Sequence, residues 1–309
     1  MNKRPRPKNP KASVIVCTHN RVELLEKCLD SIVNSDYKNF EVVVVDDHST
    51  DGTAKYLKEL AIKDKRFRIY THTKNTNIAQ ARNTGIKNSK SNIIIFTDDD
   101  CEVAKSWIGE MINSFTSEKV DFVIGNVIYN KPGYRGNFPE RLISNSNGKF
   151  PMGCNIAYKK SVFKAIGGFD TKNFSDYHED REMAIRAIKY GYRFTINRKA
   201  IVYHQKTFWN NKSLLKSAKA VSAWPKLKRL HPEHYLAFPA HFIKRGVLIH
   251  PEDYLYLIFY PIIIPVVLVR YLRNGNRNLA LLFIKWPAFF ILRRYYIYKT
   301  SVRYKSWML

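Results

Sequence analysis

The chain predicts an α/β fold on a mostly parallel sheet, and three observations carry that reading. Short apolar runs of strand length alternate with helical stripes of apolar residues. Polar clusters recur where the strands should end, at Thr18–Arg21, Asp46–Asp47 and Asp98–Asp100. The 309 residues, 45% apolar and 25% charged, suffice for one large domain or a domain with an appendage.

"SVIVC" (13–17) reads as a buried strand, and "NRVELLEKCLDSIV" follows as a helix. Asn20 is its candidate N-cap with Glu23 three residues on, and Leu25, Cys28, Leu29, Ile32 and Val33 form its stripe. "EVVVVDD" (41–47) is a second strand and "TAKYLKELA" a second helix, with Asp51 and Thr53 as turn and cap residues. "FRIYT", "IAQARNTGIKN" and "NIIIFT" continue as strand, helix and strand. In such sheets ligands bind beyond the carboxyl ends of the strands, where the three polar clusters fall. After Lys105 the rhythm loosens. "WIGEMINSF" reads as a helix, "VDFVIGNVIY" as a strand, 130–151 as a Gly/Pro/Asn-rich loop and "CNIAYKK" as strand-like. "EDREMAIRAIKYG" (179–191) is a helix with Met183, Ala184, Ala187 and Ile188 inward, and "RFTINRKAIVYHQ" reads as a strand pair.

Charge divides the chain. Residues 1–182 carry 29 Lys+Arg and 23 Asp+Glu, whereas residues 183–309 carry 23 and three. The excess behind the net +26 therefore lies at the C-terminal side, which should seek phosphates of nucleic acid or of an anionic membrane surface. Residues 213–230 are basic and amphipathic, and "YLYLIFYPIIIPVVLV" (254–269) is sixteen uncharged residues. As a helix that run spans roughly 24 Å, short of the ~30 Å hydrocarbon core, with Pro261 and Pro265 expected to kink it. A second apolar stretch, Leu279–Leu292, is interrupted by Lys285 and Pro287. Arg270, Arg273 and Arg277 lie between the stretches, and Arg293, Arg294, Lys299, Arg303 and Lys305 follow the second. Positive flanks stay cytosolic, which favours segments lying in or dipping into the cytoplasmic leaflet over a spanning hairpin. Cys17, Cys28, Cys101 and Cys154 lack metal-type spacing, so reduced thiols and a cytosolic setting are expected. The proline-rich basic start, residues 1–11, reads as a flexible arm rather than a secretory signal.

The acids carry the chemistry. On an extended chain Asp98 and Asp100 face one site and Asp99 the other, and two hard oxygen ligands at a strand end suit Mg2+ or Mn2+. The competing reading is a solvated acidic turn. Asp46 and Asp47 can accept hydrogen bonds from a nucleobase or ribose, whereas Glu179 and Asp180 can also be ordinary helix-end charges. No GxGxxG or Walker loop is present.

Taken in order and spacing, "SVIVCTHNR", "EVVVVDDHSTDGT", "AQARNTGI", "IIIFTDDDC", "GCNIAYKKSVFKAIGGFD" and "HEDREMAIRAIKYGYRF" resemble family 2 glycosyltransferases over residues 12–205. The resemblance implies a GT-A fold, with a nucleotide-binding half (12–104) and an acceptor half (105–210), to which the charge and apolar runs add a basic membrane-associating region (211–309). It also implies inverting transfer of a sugar from a UDP-, GDP- or dTDP-sugar to a glycan or lipid-linked hydroxyl. Carried over, Thr18, Asn20 and Arg21 would line the nucleotide pocket, Asp47 (or Asp46) the base, and Arg82 the nucleotide or diphosphate. Asp98 would lie toward the ribose and Asp100 would bind the divalent cation, with Asp98 as its DxD partner and His204 completing the site. Asp180 would be the general base and Glu179 would support acceptor placement.

Some positions depart from the family pattern. Asn75, Asn77 and Ile78 stand where Asn-x-Gly is common, His178 has no assignable role, and no QxxRW-like motif follows the acid pair, so single addition is preferred to polymerisation. Three competing readings are a nucleotidyltransferase, a basic nucleic-acid-binding protein and an inactive scaffold. The first would normally show a glycine-rich loop after the first strand. The second fits poorly because the charge sits beside apolar runs, so no nucleic acid is expected as partner.

Overall fold

Valine and isoleucine dominate the central strands because those strands are covered on both faces, which removes the need for alternation. The computed structural model describes residues 11–116, 119–129, 140–175, 177–238, 242–243, 248–273 and 281–309. Residues 1–10 of the expected arm, 130–139 of the Gly/Pro/Asn-rich loop, and 274–280 with Arg277 and Leu279 lie outside the described residues. Contacts divide the chain into two units, Met1–Asn130 with Ile143–Gln205, and Lys131–Leu142 with Lys206–Leu309.

In the first unit the elements run β1 (Ala12–Thr18), α1 (Val22–Val33), β2 (Phe40–Asp46), α2 (Thr53–Lys63), β3 (Phe67–Thr71), α3 (Ile78–Asn88), β4 (Ile93–Asp98), β5 (Cys101–Val103), α4 (Trp107–Asn113) and β6 (Phe122–Tyr129). After β7 (Glu140–Arg141), which belongs to the second unit, come β8 (Ile156–Lys159), α5 (Lys160–Ile166), α6 (Glu179–Lys189) and β9 (Phe194–His204). One sheet holds eight of these strands in the order β3-β2-β1-β4-β8-β6-β9-β5. β3, β2, β1 and β4 are mutually parallel, β8 runs antiparallel to β4 and β6, β9 is parallel to β6, and β5 is antiparallel to β9. Every residue of β2 is buried, and Leu25, Cys28, Leu29 and Ile32 of α1 pack into the same core.

Three local expectations are corrected. Asn20 does not cap α1: Arg21 holds the N-cap position with no side-chain bond. Asn20 instead takes a left-handed backbone, φ 54°, which asparagine tolerates, and its amide oxygen accepts from Thr50 N (2.6 Å) and Asp51 N (3.3 Å). Asp51 performs the capping, accepting from Val22 N (3.2 Å) at α1 and Thr53 N (3.0 Å) at α2. "RFTINRKAIVYHQ" is one strand, not a pair. β9 pairs with β6 on both sides of a register break, Gly125 facing Asn197 and Asn126 facing Ile201. The wholly buried Asn155 satisfies the break, donating to Asn126 O and Ala200 O (each 2.9 Å) and accepting from Trp107 Nε1 (2.8 Å). Asp99 is the third correction and belongs with the site.

In the second unit β7 pairs antiparallel with β10 (Thr207–Phe208), and β11 (Phe242–Ile243) with β12 (Leu248–Ile249). α7 (Asn211–Ala220) opens on a capping box between Asn210 and Ser213, and α8 (Ala223–Leu230) follows. α9 (Glu252–Arg273) runs unbroken through Pro261 and Pro265. At 22 residues it is about 33 Å long, and by length and composition it could cross a membrane, while its uncharged run, 254–269, remains sixteen residues. A π-helical turn (Leu281–Lys285) leads into α10 (Trp286–Tyr304). Asp253 of α9 is wholly buried and paired with both Arg293 and Arg294 of α10 (2.7 Å to Arg294), the partnering that a buried charge needs. The opposite face of α9 leaves Leu255, Ile258, Phe259, Ile262, Val266 and Val269 exposed.

Candidate active site

Four strands of the first unit end at one edge of the sheet, and their loops bring most of the expected residues together. β4 stops at Asp98, so Asp99 and Asp100 occupy a turn rather than an extended strand. Alternation therefore does not apply to them, and the expectation that Asp99 turns away is wrong. Asp99 is the most buried of the three and sits at the centre of a cluster. Its Oδ2 accepts from Thr18 Oγ1 (2.8 Å) and its Oδ1 from Arg21 Nη1 (3.0 Å), which also reaches Asp100 Oδ2 (3.2 Å). Burial pushes the Asp99 carboxyl up to about 6, with Arg21 pulling it down and Asp100 adding to the rise.

Asp98 points into a second cluster. Arg82, from α3, is 4% exposed and donates Nη2 to Asp98 Oδ1 (2.9 Å) and Nη1 to Glu179 Oε1 (2.5 Å). Burial alone would lower the Arg82 pKa, but Asp98, Glu179 and Asp180 outweigh it and raise it. One guanidinium thus serves three acids. Burial, together with Asp180, pushes Glu179 up to about 7 against the pull of Arg82. Glu179 therefore faces the arginine, while Asp180, half-buried, accepts from Gly153 N (2.8 Å) and Arg181 N (2.7 Å).

His178, unassigned from sequence, holds the N-cap position of α6 in a left-handed conformation, φ 59°. Its carbonyl starts the helix by accepting from Glu182 N (2.8 Å), so this turn sets where the acid pair begins.

The third group can hold a cation. His204 Nδ1 donates to Gln205 O (3.0 Å), so Nε2, which carries the lone pair in a neutral ring, faces Asp100 Oδ1, 3.5 Å away. Two acceptors facing each other at that distance fit a bridging cation, and the oxygen and nitrogen donors suit a divalent metal. Asp100, Cys101 and His204 present one ligand atom each within 4.8 Å of one another.

Asp46 and Asp47 are less open than expected. Asp46 is wholly buried, accepts from Ser49 N (3.0 Å), and its Oδ2 has no hydrogen-bond partner among the described residues. The Asp47 carboxylate accepts from Thr76 N (2.9 Å), Thr76 Oγ1 (2.8 Å) and His72 Nδ1 (2.7 Å). Sequence reasoning missed His72, Thr76, Gly153 and Asp99. His72 and Thr76 follow β3, whose carboxyl end lies on the same sheet edge as those of β1, β2 and β4 and was the available signal. Gly153 lies where an added Cβ would meet the Arg82 guanidinium at 2.1 Å.

Residues 13–179 match the family described as Glycosyl transferase family 2. "Glycosyltransferase AglE" of Haloferax volcanii is 28% identical over 208 residues, 63% of this chain and 67% of that protein. The "GalNAc(5)-diNAcBac-PP-undecaprenol beta-1,3-glucosyltransferase" of Campylobacter jejuni is 34% identical over 128 residues, 40% of each chain. The chain spans only 16% of the length of another relative, "Glycosyltransferase GlyA" of Streptococcus pneumoniae. In fold it resembles the mannosyltransferase PcManGT of Pyrobaculum calidifontis, solved with GDP-Man and Mn2+. That likeness has a TM-score of 0.61 at 20% identity, over 98% of this chain and 89% of that one. The sheet flanked by helices is thus of the GT-A type, and with more than half its length matched the chain belongs to glycosyltransferase family 2.

Proposed function

We propose that the protein is an inverting glycosyltransferase that moves a sugar from a nucleoside-diphosphate sugar to a hydroxyl of a glycan or lipid-linked acceptor. The observation that carries this is the Arg82 bridge. It ties Asp98, at the end of a nucleotide-side strand, to Glu179 of the acid pair, and so holds donor-side and acceptor-side carboxylates in one cluster. Asp180 is the general base: it lies at the first turn of α6, is less buried than Glu179, and its carboxylate is aligned by the Gly153 N–H. Glu179 and Asp98 hold Arg82, which keeps positive charge beside the departing diphosphate. Thr18 and Arg21 set the Asp98–Asp100 turn through Asp99. Asp100 and His204, with Asp98 alongside, would hold Mg2+ or Mn2+, which when bound neutralises charge gathering on the leaving group. The Pyrobaculum complex with GDP-Man and Mn2+ supports that assignment, and the Campylobacter relative's name supports a lipid diphosphate acceptor.

The second unit supports a seat at the cytoplasmic face of an anionic membrane. Ile258, Ile262 and Val266 are 68%, 72% and 59% exposed on one face of α9, while Arg273, Arg303 and other cations flank the helices.

The test incubates the purified full chain with UDP-, GDP- and dTDP-sugars and Mn2+, Mg2+ or EDTA, and reads nucleoside diphosphate release. Release from one donor class that EDTA stops is expected. No release from any donor with either cation overturns the proposal.

A further inference from the structure

Asp47 directly follows β2, and its two carboxylate oxygens are unequally occupied. Oδ1 accepts from His72 Nδ1 (2.7 Å), Thr76 Oγ1 (2.8 Å) and Thr76 N (3.0 Å). A carboxylate oxygen has two lone pairs, so three donors leave Oδ1 nothing to offer a ligand. Among the described residues Oδ2 accepts from Thr76 N alone (2.9 Å), through the same N–H that reaches Oδ1. Oδ2 therefore keeps a lone pair open.

This clamp is tied down at both ends. His72 N donates to Asp46 O (2.9 Å), and its ring Nε2 lies 2.9 Å from Thr84 Oγ1 on α3. Asn77 caps α3 by accepting from Gln80 N (2.8 Å), and Asn75 Nδ2 donates to Asp47 O (3.2 Å). Freeing Oδ1 requires moving residues 72–77 against all of these bonds.

Nucleobases differ in how many donors they bring to a carboxylate. Guanine presents N1–H and an amino hydrogen side by side, a pair that needs both oxygens. Uracil and thymine present N3–H alone, between two carbonyls. We propose that His72 and Thr76, by filling one oxygen of Asp47, make the site selective for a nucleoside diphosphate sugar whose base brings a single imino hydrogen, uracil or thymine, over guanine. This rests on the reading that the donor is a nucleoside diphosphate sugar with its base at Asp47. The N3–H of uracil or thymine meets the open lone pair of Oδ2. Guanine would face an occupied oxygen with one of its two donors, which should cost at least about tenfold in affinity. His72 and Thr76 are positioning residues, because they act on the base through Asp47.

The full chain with Mn2+ is titrated calorimetrically with UDP, dTDP, GDP and the N3-methyl derivative of whichever pyrimidine nucleotide binds more tightly. UDP or dTDP should bind at least about tenfold more tightly than GDP, and N3-methylation should cost at least about tenfold. The tighter of the two identifies the base. His72→Phe combined with Thr76→Val leaves Oδ1 only the shared N–H, so the preference over GDP should shrink at least about threefold. Thr76→Ser, which keeps the hydroxyl, should hold the wild-type ratio. GDP binding as tightly as both pyrimidine nucleotides overturns the base assignment and leaves the transferase reading standing. Equal binding of the N3-methyl derivative also overturns it. An unchanged ratio in the folded double variant overturns the role of His72 and Thr76. No binding of any of these nucleotides to the folded wild type overturns the donor reading as well. If the double variant does not fold, Thr76→Val alone carries the same comparison.

Discussion

Replacing Gly153 by alanine tests the Arg82 bridge without removing a single charge. The added methyl would lie 2.1 Å from Nη2 and 2.4 Å from Cζ of Arg82, against an ordinary contact of at least 3.4 Å. The guanidinium must therefore retreat by about 1.3 Å. If that motion lengthens the 2.9 Å bond to Asp98 to about 4.2 Å, Coulomb's law at an effective dielectric constant near 20 loses about 2 kcal/mol. A similar retreat from Glu179 loses about as much, so destabilisation of about 2–4 kcal/mol is expected. Misplacing a catalytic group by about 1 Å can also slow turnover by about a hundredfold. Gly153 is not among the positive-φ glycines, so the variant reports the contact rather than backbone strain. Gly52→Ala, where a methyl meets nothing within 4 Å, is the control. Urea unfolding and nucleoside diphosphate release are the assays. A Gly153→Ala protein within about 0.5 kcal/mol of wild type and equally fast would refute the bridge.

Other outcomes follow from the same clusters. Asp180→Asn should keep nucleotide-sugar binding, read by thermal shift, and lose at least about a hundredfold in transfer; normal turnover would require another base. Glu179 and Asp99 carry carboxyls raised from 4.5 to about 7 and from 3.8 to about 6. Between those values the folded state binds more protons at these two groups than the unfolded one, so their contribution to stability is lost as pH rises from about 4 toward 7. In the ligand-free protein Glu179→Gln should raise the melting temperature at pH 7 relative to pH 4 when compared with wild type; no change in that difference counts against the assignment. Replacing Ile258, Ile262 and Val266 together by glutamine alters side chains already 68%, 72% and 59% exposed. The helix content should hold while sedimentation with anionic vesicles falls, and unchanged sedimentation would remove α9 from the membrane seat.

The strand and helix rhythm up to β4 was legible because continuous Val/Ile runs and 3.6-residue stripes each have one good way to be buried. α3 spans the eleven residues that its pattern marks out. What escaped was set by turns. Asn20 looks like a cap and is instead a bridge to the 49–51 loop, because the chain turns left-handed there. Asp99 was misjudged because it is the first residue past the end of β4, in a turn where period-two alternation no longer governs direction. The Arg82 bridge joins residues 97 positions apart, and spacing carries no trace of such a contact. The register break in β9 hides behind a polar "NRK", which resembles a turn until Asn155 is seen filling the gap.

The short strand β5 has a further consequence. Only Asp99 and Asp100 separate β4, paired with β1, from β5, paired with His204 on β9. The turn is thus a ruler between two fixed ladders, and its length matters more than its composition. One inserted residue would shift the ladder by a step and send each side chain of β5 to the opposite face. Side-chain exchanges within 98–101 weaken individual bonds, but a change in the number of residues takes Cys101 away from His204 altogether.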